Sequence, residues 1–219
     1  MRTLVIDSAS EACSVALFEN GVLLAGDYAV LGRGHAERLI PMIAALPGKG
    51  KADRIAVALG PGSFTGLRVG LAAARALALA WRAEIAGYPS LALVAAQARA
   101  LAGPVGVCAA MTGGHGEWFV QAFSGDGSPA GLLASLPPDM AAQAAASEVI
   151  AGSQAEALVA LRGSGRALAL LPDARQFLAL PPLLLGSDLT PLYGRAPDAR
   201  LPRVAGLAGV AGCPPGTGK

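Results

Sequence analysis

The stretch of this chain best placed to do chemistry runs Gly60-Pro61-Gly62-Ser63-Phe64-Thr65-Gly66-Leu67-Arg68. A short apolar segment enters a glycine turn, hydroxyls at Ser63 and Thr65 stand where a helix cap would be, and a helix carrying arginines follows. That order could receive an anion, because the first turn of a helix leaves N–H groups unpaired. Two phosphate-loop patterns nevertheless fail. A Walker loop needs GxxxxGK[ST], and after Gly60 the chain has no lysine before Lys219. A dinucleotide fingerprint needs GxGxxG, and Thr65 stands where the third glycine belongs.

The other candidates are sparser. Asp7-Ser8-Ala9-Ser10 reads as a hairpin turn without glycine, so backbone cannot approach phosphate closely there. Asp7, Ser8 and Ser10 are left with a weak, vestigial nucleotide contact at most, and the favoured role for Asp7 is a carboxylate capping nearby amides. His35 and His115 lack a second ligand at metal spacing, and no metal site is expected. Glu117 is a candidate acid with no visible partner. No nucleophile elbow and no Cys/His pair occurs, so the chain carries no recognisable catalytic set.

These residues sit in a chain of 219, with 53% hydrophobic and 15% charged side chains and a net charge of +2. Disorder throughout is excluded, and the charge is too mild to argue for nucleic-acid binding. Cys13, Cys108 and Cys213 are odd in number and far apart, which fits a reducing compartment. The N-terminal apolar run is too short for a signal peptide, and Arg68, Arg75 and Arg82 interrupt the longest apolar helix, so a cytoplasmic protein without a membrane span is expected.

Three strands open the chain, the second and third joined at Asn20-Gly21, a strong hairpin signal. "HAERLIPMIAAL" follows with apolar residues at Ala36, Leu39, Ile40, Ile43 and Leu46, which is helical spacing. A strand at "RIAVALG", a helix over 65–82, a strand at "EIAGYPS" and a helix at "LALVAAQARAL" complete the first half. The second half starts alike, with "VGVCAAM", a glycine turn and "EWFVQAFSGDG"; "PAGLLAS" and "RALALL" are weaker strands. Prolines interrupt the rest, so its helices should be few and short, and the tail over 205–219 lacks periodicity. A meander followed by alternating helices and strands, attempted twice, predicts an α/β, two-lobed actin-like (ribonuclease-H-like) fold. The expected lobes are 1–103 and a reduced 104–219, each a mixed sheet with helices.

The helix over 65–82 carries two apolar stripes. Leu67, Leu71, Ala74, Ala78 and Trp81 form one; Gly66, Gly70, Ala73 and Leu77 form another of mostly small residues; Arg68, Arg75 and Arg82 make a basic face. Two apolar stripes suggest packing on two sides, either wholly within the chain or partly against another protein.

"LVIDSASEACSVALFENG", "HAERLIPMI" and above all "VALGPGSFTGLRVGLAAARALALA" resemble the TsaB (YeaZ) family over about the first 125 residues. "MTGGHGEWFVQAF" resembles the family's second hairpin, DARxGEVY, with Thr112 and Gly114 replacing its charged pair, and "PLYGR" resembles its PxYLR ending. The resemblance implies a non-catalytic subunit that supports the catalytic paralogue TsaD in forming N6-threonylcarbamoyladenosine next to the anticodon of tRNA. It implies contact with the ATPase TsaE and with tRNA only through the complex, a homodimer as one state of the isolated chain, and ATP used by the complex rather than held tightly here. Partner contacts would fall on His35, Glu37, Arg38, Leu39 and Met42 of one helix and Gly66, Arg68, Val69, Gly70, Ala73, Arg75 and Leu77 of the next. The competing readings are an actin-fold phosphotransferase, which needs a glycine turn and a catalytic acid, and a glycoprotease-like peptidase, which needs a metal pair or an activated nucleophile.

Overall fold

The computed structural model describes residues 1–194; the expectations for Arg195, Cys213 and the tail over 205–219 lie outside the described residues. The first sheet holds β1 (Arg2–Asp7), β2 (Ala12–Glu19), β3 (Val22–Val30), β4 (Arg54–Ala58) and β5 (Glu84–Tyr88) in the order β3-β2-β1-β4-β5. β1 to β3 form an antiparallel meander, and β4 and β5 run parallel to β1. Asn20 and Gly21 take φ of 49° and 78°, the left-handed pair that a two-residue hairpin needs. The parallel strands require crossovers, supplied by α1 (His35–Ala45) and α2 (Phe64–Trp81).

The second sheet repeats the plan. Its strands β6 (Val107–Thr112), β7 (Trp118–Phe123), β8 (Ala134–Leu136), β9 (Val149–Ala151) and β10 (Arg166–Leu168) lie in the order β10-β9-β6-β7-β8. β6, β7 and β8 are antiparallel neighbours while β9 and β10 are parallel to β6, as in the first sheet. The fold is therefore α/β and two-lobed, of the actin-like, ribonuclease-H-like kind, with the second copy reduced to three-residue strands at its margins. "PAGLLAS" contributes only Ala134 and Ser135 to β8 and "RALALL" only three residues to β10, and β9, α4 (Pro138–Ala144) and α5 (Ala155–Arg162) have no strong periodic signal in the sequence.

Alternation along β6 ties the lobes together. Val107, Ala109 and Met111 face the large core shared with the first lobe, while Cys108 and Ala110 face a smaller cluster with Trp118, Ile150 and Leu158. Between the sheets lies α3 (Ser90–Ala102), buried at every position from Ser90 to Ala98. A helix apolar all round must be covered on all sides; its alanines let β6 and β9 approach closely.

Residues beyond β10 turn back. A 3-10 turn at Ala174–Ala179 packs on β1, β2, β3 and α3, with Phe177 against Phe18 and Tyr88 (ring centroids 6.1 and 5.7 Å). Ser14 Oγ accepts from Ala174 N (3.0 Å), Gly186 pairs with Gly87 of β5, and Leu192 N donates to the Leu59 carbonyl (2.7 Å). This returning segment belongs to the first lobe's core, although a boundary at 103/104 assigns it to the second.

Candidate functional site

Where the two opening hairpins face each other the fold leaves a cleft of about 650 Å³. One wall is Ala9, Ser10 and Glu11 of the first hairpin with Pro61 to Phe64 at the start of α2. The facing wall is Met111 to His115 and Phe119 of the second hairpin, and Ser90 and Tyr193 also line the space.

Asp7 does not reach it. Its carboxylate is 1% exposed, accepts from Ala9 N (3.1 Å) and from the Tyr88 hydroxyl (3.2 Å), and so closes its own turn. Burial pushes the Asp7 carboxyl up to about 7, against the lowering effect of those two donors, and Asp173 adds to the rise. Ser8 is likewise enclosed, with Oγ donating to the Gly66 carbonyl (2.9 Å). Of the three residues expected to keep a nucleotide contact, Asp7 and Ser8 are behind the wall, and Ser10 alone lines the cleft. Ser10 Oγ is occupied by Ala12 N (3.1 Å).

The glycines of the opening stretch serve this same turn. A Cβ on Gly62 would fall 1.8 Å from the Ala9 carbonyl oxygen, one on Gly66 2.1 Å from that of Ser8, and one on Gly70 2.5 Å from Ser8 Oγ. Ser63 N donates to the Ala9 carbonyl (2.7 Å), while Ser63 Oγ accepts from Gly66 N (3.3 Å) and caps α2. Close approach of backbone to backbone is what glycine permits; here both backbones belong to one chain. Gly66 and Gly70, expected on a partner-facing stripe, are buried against Ser8 instead.

α1 needs a similar correction. His35, Leu39 and Met42 are 6%, 0% and 1% exposed, within the chain's own core. His35 Nε2 donates to the Ser10 carbonyl (2.9 Å), pinning the start of α1 to the first turn. Ala36 points outward, and Ile40 is 51% exposed. Glu37, Arg38, Arg68 and Arg75 are exposed, and Val69, Ala73 and Leu77 of α2 are half-buried. α2 is long and apolar enough by composition to cross a membrane, yet Leu67, Leu71, Ala74 and Ala78 lie on the sheet.

The second hairpin offers no charged pair. Gly113 N and the Glu117 carbonyl close its loop (2.8 Å), Thr112 bonds with Ser153 and Gln154, and Glu117 accepts from the Ser135 hydroxyl (2.7 Å). Glu117 therefore has a partner that periodicity does not reveal. Among the described residues, no group of three His, Cys, Asp or Glu side chains is placed to hold a metal ion. Cys13 and Cys108 are buried, and desolvation raises both thiols to about 11, which leaves them unreactive.

Sequence reasoning missed Phe64, Ser90 and Tyr193. Phe64 and Tyr193 pair at 5.6 Å between ring centroids, and the Arg68 guanidinium lies 3.5 Å from the Phe64 centroid. Tyr193 stands over a hundred residues from Phe64, so no local spacing joins them; only its place in "PLYGR" marked the segment.

The family model for TsaD, tRNA N6-adenosine threonylcarbamoyltransferase, matches residues 29–129. The tRNA threonylcarbamoyladenosine biosynthesis protein TsaB of Escherichia coli is 37% identical over 131 residues, covering 58% of this chain and 56% of that protein. Its namesake in Bacillus subtilis is 31% identical over 104 residues, 45% of each chain. The matched region thus spans about half the length of these relatives. Among solved structures, YeaZ from Pseudomonas aeruginosa is 33% identical with a TM-score of 0.70, and another protein described as similar to peptidase YeaZ from that organism is 32% identical with a TM-score of 0.71. Each comparison covers 82% of this chain and 89% of the other.

Proposed function

Since the chain belongs to the TsaB (YeaZ) family, we propose that it acts in the biosynthesis of tRNA threonylcarbamoyladenosine as a non-catalytic subunit that binds and supports the catalytic paralogue TsaD. The observation that carries this reading is the outer face of the α1–α2 pair. Ile40 of α1 is 51% exposed, and on the adjacent α2 Val69, Ala73 and Leu77 form a half-buried apolar stripe. Exposed apolar groups gathered on adjacent helices are a surface for another protein. Arg68, Arg75, Glu37 and Arg38 flank that stripe, where charge would set association rate and specificity more than affinity. Gly66, Gly70, His35, Leu39 and Met42 would support this surface from behind without touching the partner.

In this role the protein is cytoplasmic, reaches TsaE and tRNA through the complex, and leaves ATP turnover to its partners. The enclosed Asp7, and Thr112 and Gly114 in place of the family's charged pair, support an inactive cleft. Incubated alone with tRNA and threonylcarbamoyl adenylate, the chain should form no modified tRNA above the enzyme-free blank.

Replacing Ala73 with Leu tests the surface. Added bulk at a packed helix contact costs about 1–3 kcal/mol, which is roughly 5- to 150-fold in affinity if the contact is with TsaD. The expected result is weaker TsaD binding in calorimetry with a melting temperature close to that of the parent. A destabilised monomer with unchanged TsaD affinity would overturn the assignment.

A further inference from the structure

The cleft between the lobes has the size and lining of a ligand site. A volume of about 650 Å³ lies within the usual range for pockets that enclose small molecules. Phe64 and Tyr193, paired at its mouth, are 53% and 40% exposed, which leaves aromatic surface open for stacking. Ser90, the first residue of α3, lines the cleft and is 2% exposed, yet its hydroxyl has no hydrogen-bond partner among the described residues. An unpaired buried hydroxyl destabilises the folded chain, and a polar atom that reached it would remove that cost.

Charge narrows the ligand. Among the described residues, Arg68 is the one arginine that lines the cleft, where it lies over Phe64, and Glu11 and His115 line it too. In the turn at 7–10 the Ala9 amide is taken by Asp7, and in the first turn of α2 the Gly66 amide is taken by Ser63 Oγ. Among the described residues, that lining does not match three or four phosphate charges.

We infer that the cleft binds a planar aromatic heterocycle of nucleoside size carrying at most one phosphate group. The ring stacks against the Phe64–Tyr193 pair, and a polar edge bonds Ser90 Oγ. A second or third phosphate adds no affinity there. The site goes beyond the role proposed above and stands or falls independently of TsaD binding.

The test is ligand-observed NMR and calorimetry on the full chain, with adenosine, adenosine monophosphate, ATP and pyrophosphate as probes. Adenosine and the monophosphate should bind with Kd between about 10 μM and 1 mM, ATP no tighter than the monophosphate, and pyrophosphate not at all. No adenosine binding at about 5 mM, ATP binding tighter than the monophosphate, or pyrophosphate binding with a Kd below about 1 mM overturns the proposal.

Two variants locate the ligand. Tyr193→Leu should weaken adenosine about tenfold through lost stacking. Ser90→Ala should weaken it by a factor of about 2–10, while the ligand-free chain melts at the same temperature or a few degrees higher because the unpaired hydroxyl is gone. Unchanged adenosine affinity in either variant, or a lower melting temperature for ligand-free Ser90→Ala, would overturn the assignment.

Discussion

Exchanging Asp7 for Asn should make the protein more stable, increasingly so as pH rises. The side chain is 1% exposed, and burial raises its carboxyl from 3.8 to about 7. Between those values the folded chain keeps a proton that the unfolded chain has released. Stability is therefore full below the unfolded value, falls as pH rises through this window, and levels off above the folded value. A rise of that size corresponds to about 4 kcal/mol over the whole range. About 1–2 kcal/mol of it is already lost by pH 5 and about 3 kcal/mol more by pH 8.5. Asparagine does not titrate and can keep the local bonds: its carbonyl accepts from Ala9 N, while its amide donates to the Tyr88 hydroxyl, which retains the Ile6 carbonyl as acceptor. Urea unfolding of both proteins at pH 5 and pH 8.5 is the assay. The advantage of Asp7→Asn over the parent should grow by about 3 kcal/mol between the two, or about 6–12 °C in melting temperature. An advantage independent of pH, or an asparagine variant less stable than the parent at pH 8.5, would refute the reasoning.

Gly66→Ala should cost more than about 2 kcal/mol in urea unfolding, because the new methyl meets the Ser8 carbonyl oxygen, a backbone atom that moves only with the whole turn. A variant as stable as the parent would show that turn and helix are not in contact. Phe177→Ala removes the ring packed on Phe18 and Tyr88 and should cost about 3–5 kcal/mol; a loss below about 1 kcal/mol would mean that the returning segment is not part of the first lobe's core.

The first lobe is legible because its strands and helices follow clean periods and its hairpin carries Asn20-Gly21. Both α1 and α2 begin and end within a residue of where spacing places them. The second lobe is obscured by proline and by β8, β9 and β10, each three residues long, too short for alternation to be read. The site misleads for a different reason. Spacing along α2 shows a stripe of small residues at Gly66 and Gly70 but not the surface that meets it, and Ser8 is 58 positions away from Gly66. His35, Leu39 and Met42 pose the same problem: a helical face says that something is covered, not by what. The returning segment was hidden because its bonds to Ser14, Gly87 and Leu59 join residues about 100 to 160 positions apart in the chain.

That segment has a consequence for the order in which the protein can be completed during translation. The sheet of the first lobe is fully synthesised once Tyr88 has been added, but the socket formed by Phe18 and Tyr88 waits for Phe177. At about 5–20 residues per second, ribosomes need roughly 5–20 s to make the intervening chain. Throughout that interval the nascent first lobe presents an unfilled apolar socket and an unpaired β5 edge at Gly87, where Gly186 will later bond. A nascent chain stalled before residue 177 should therefore be a better client for chaperones than its complete sheet would suggest.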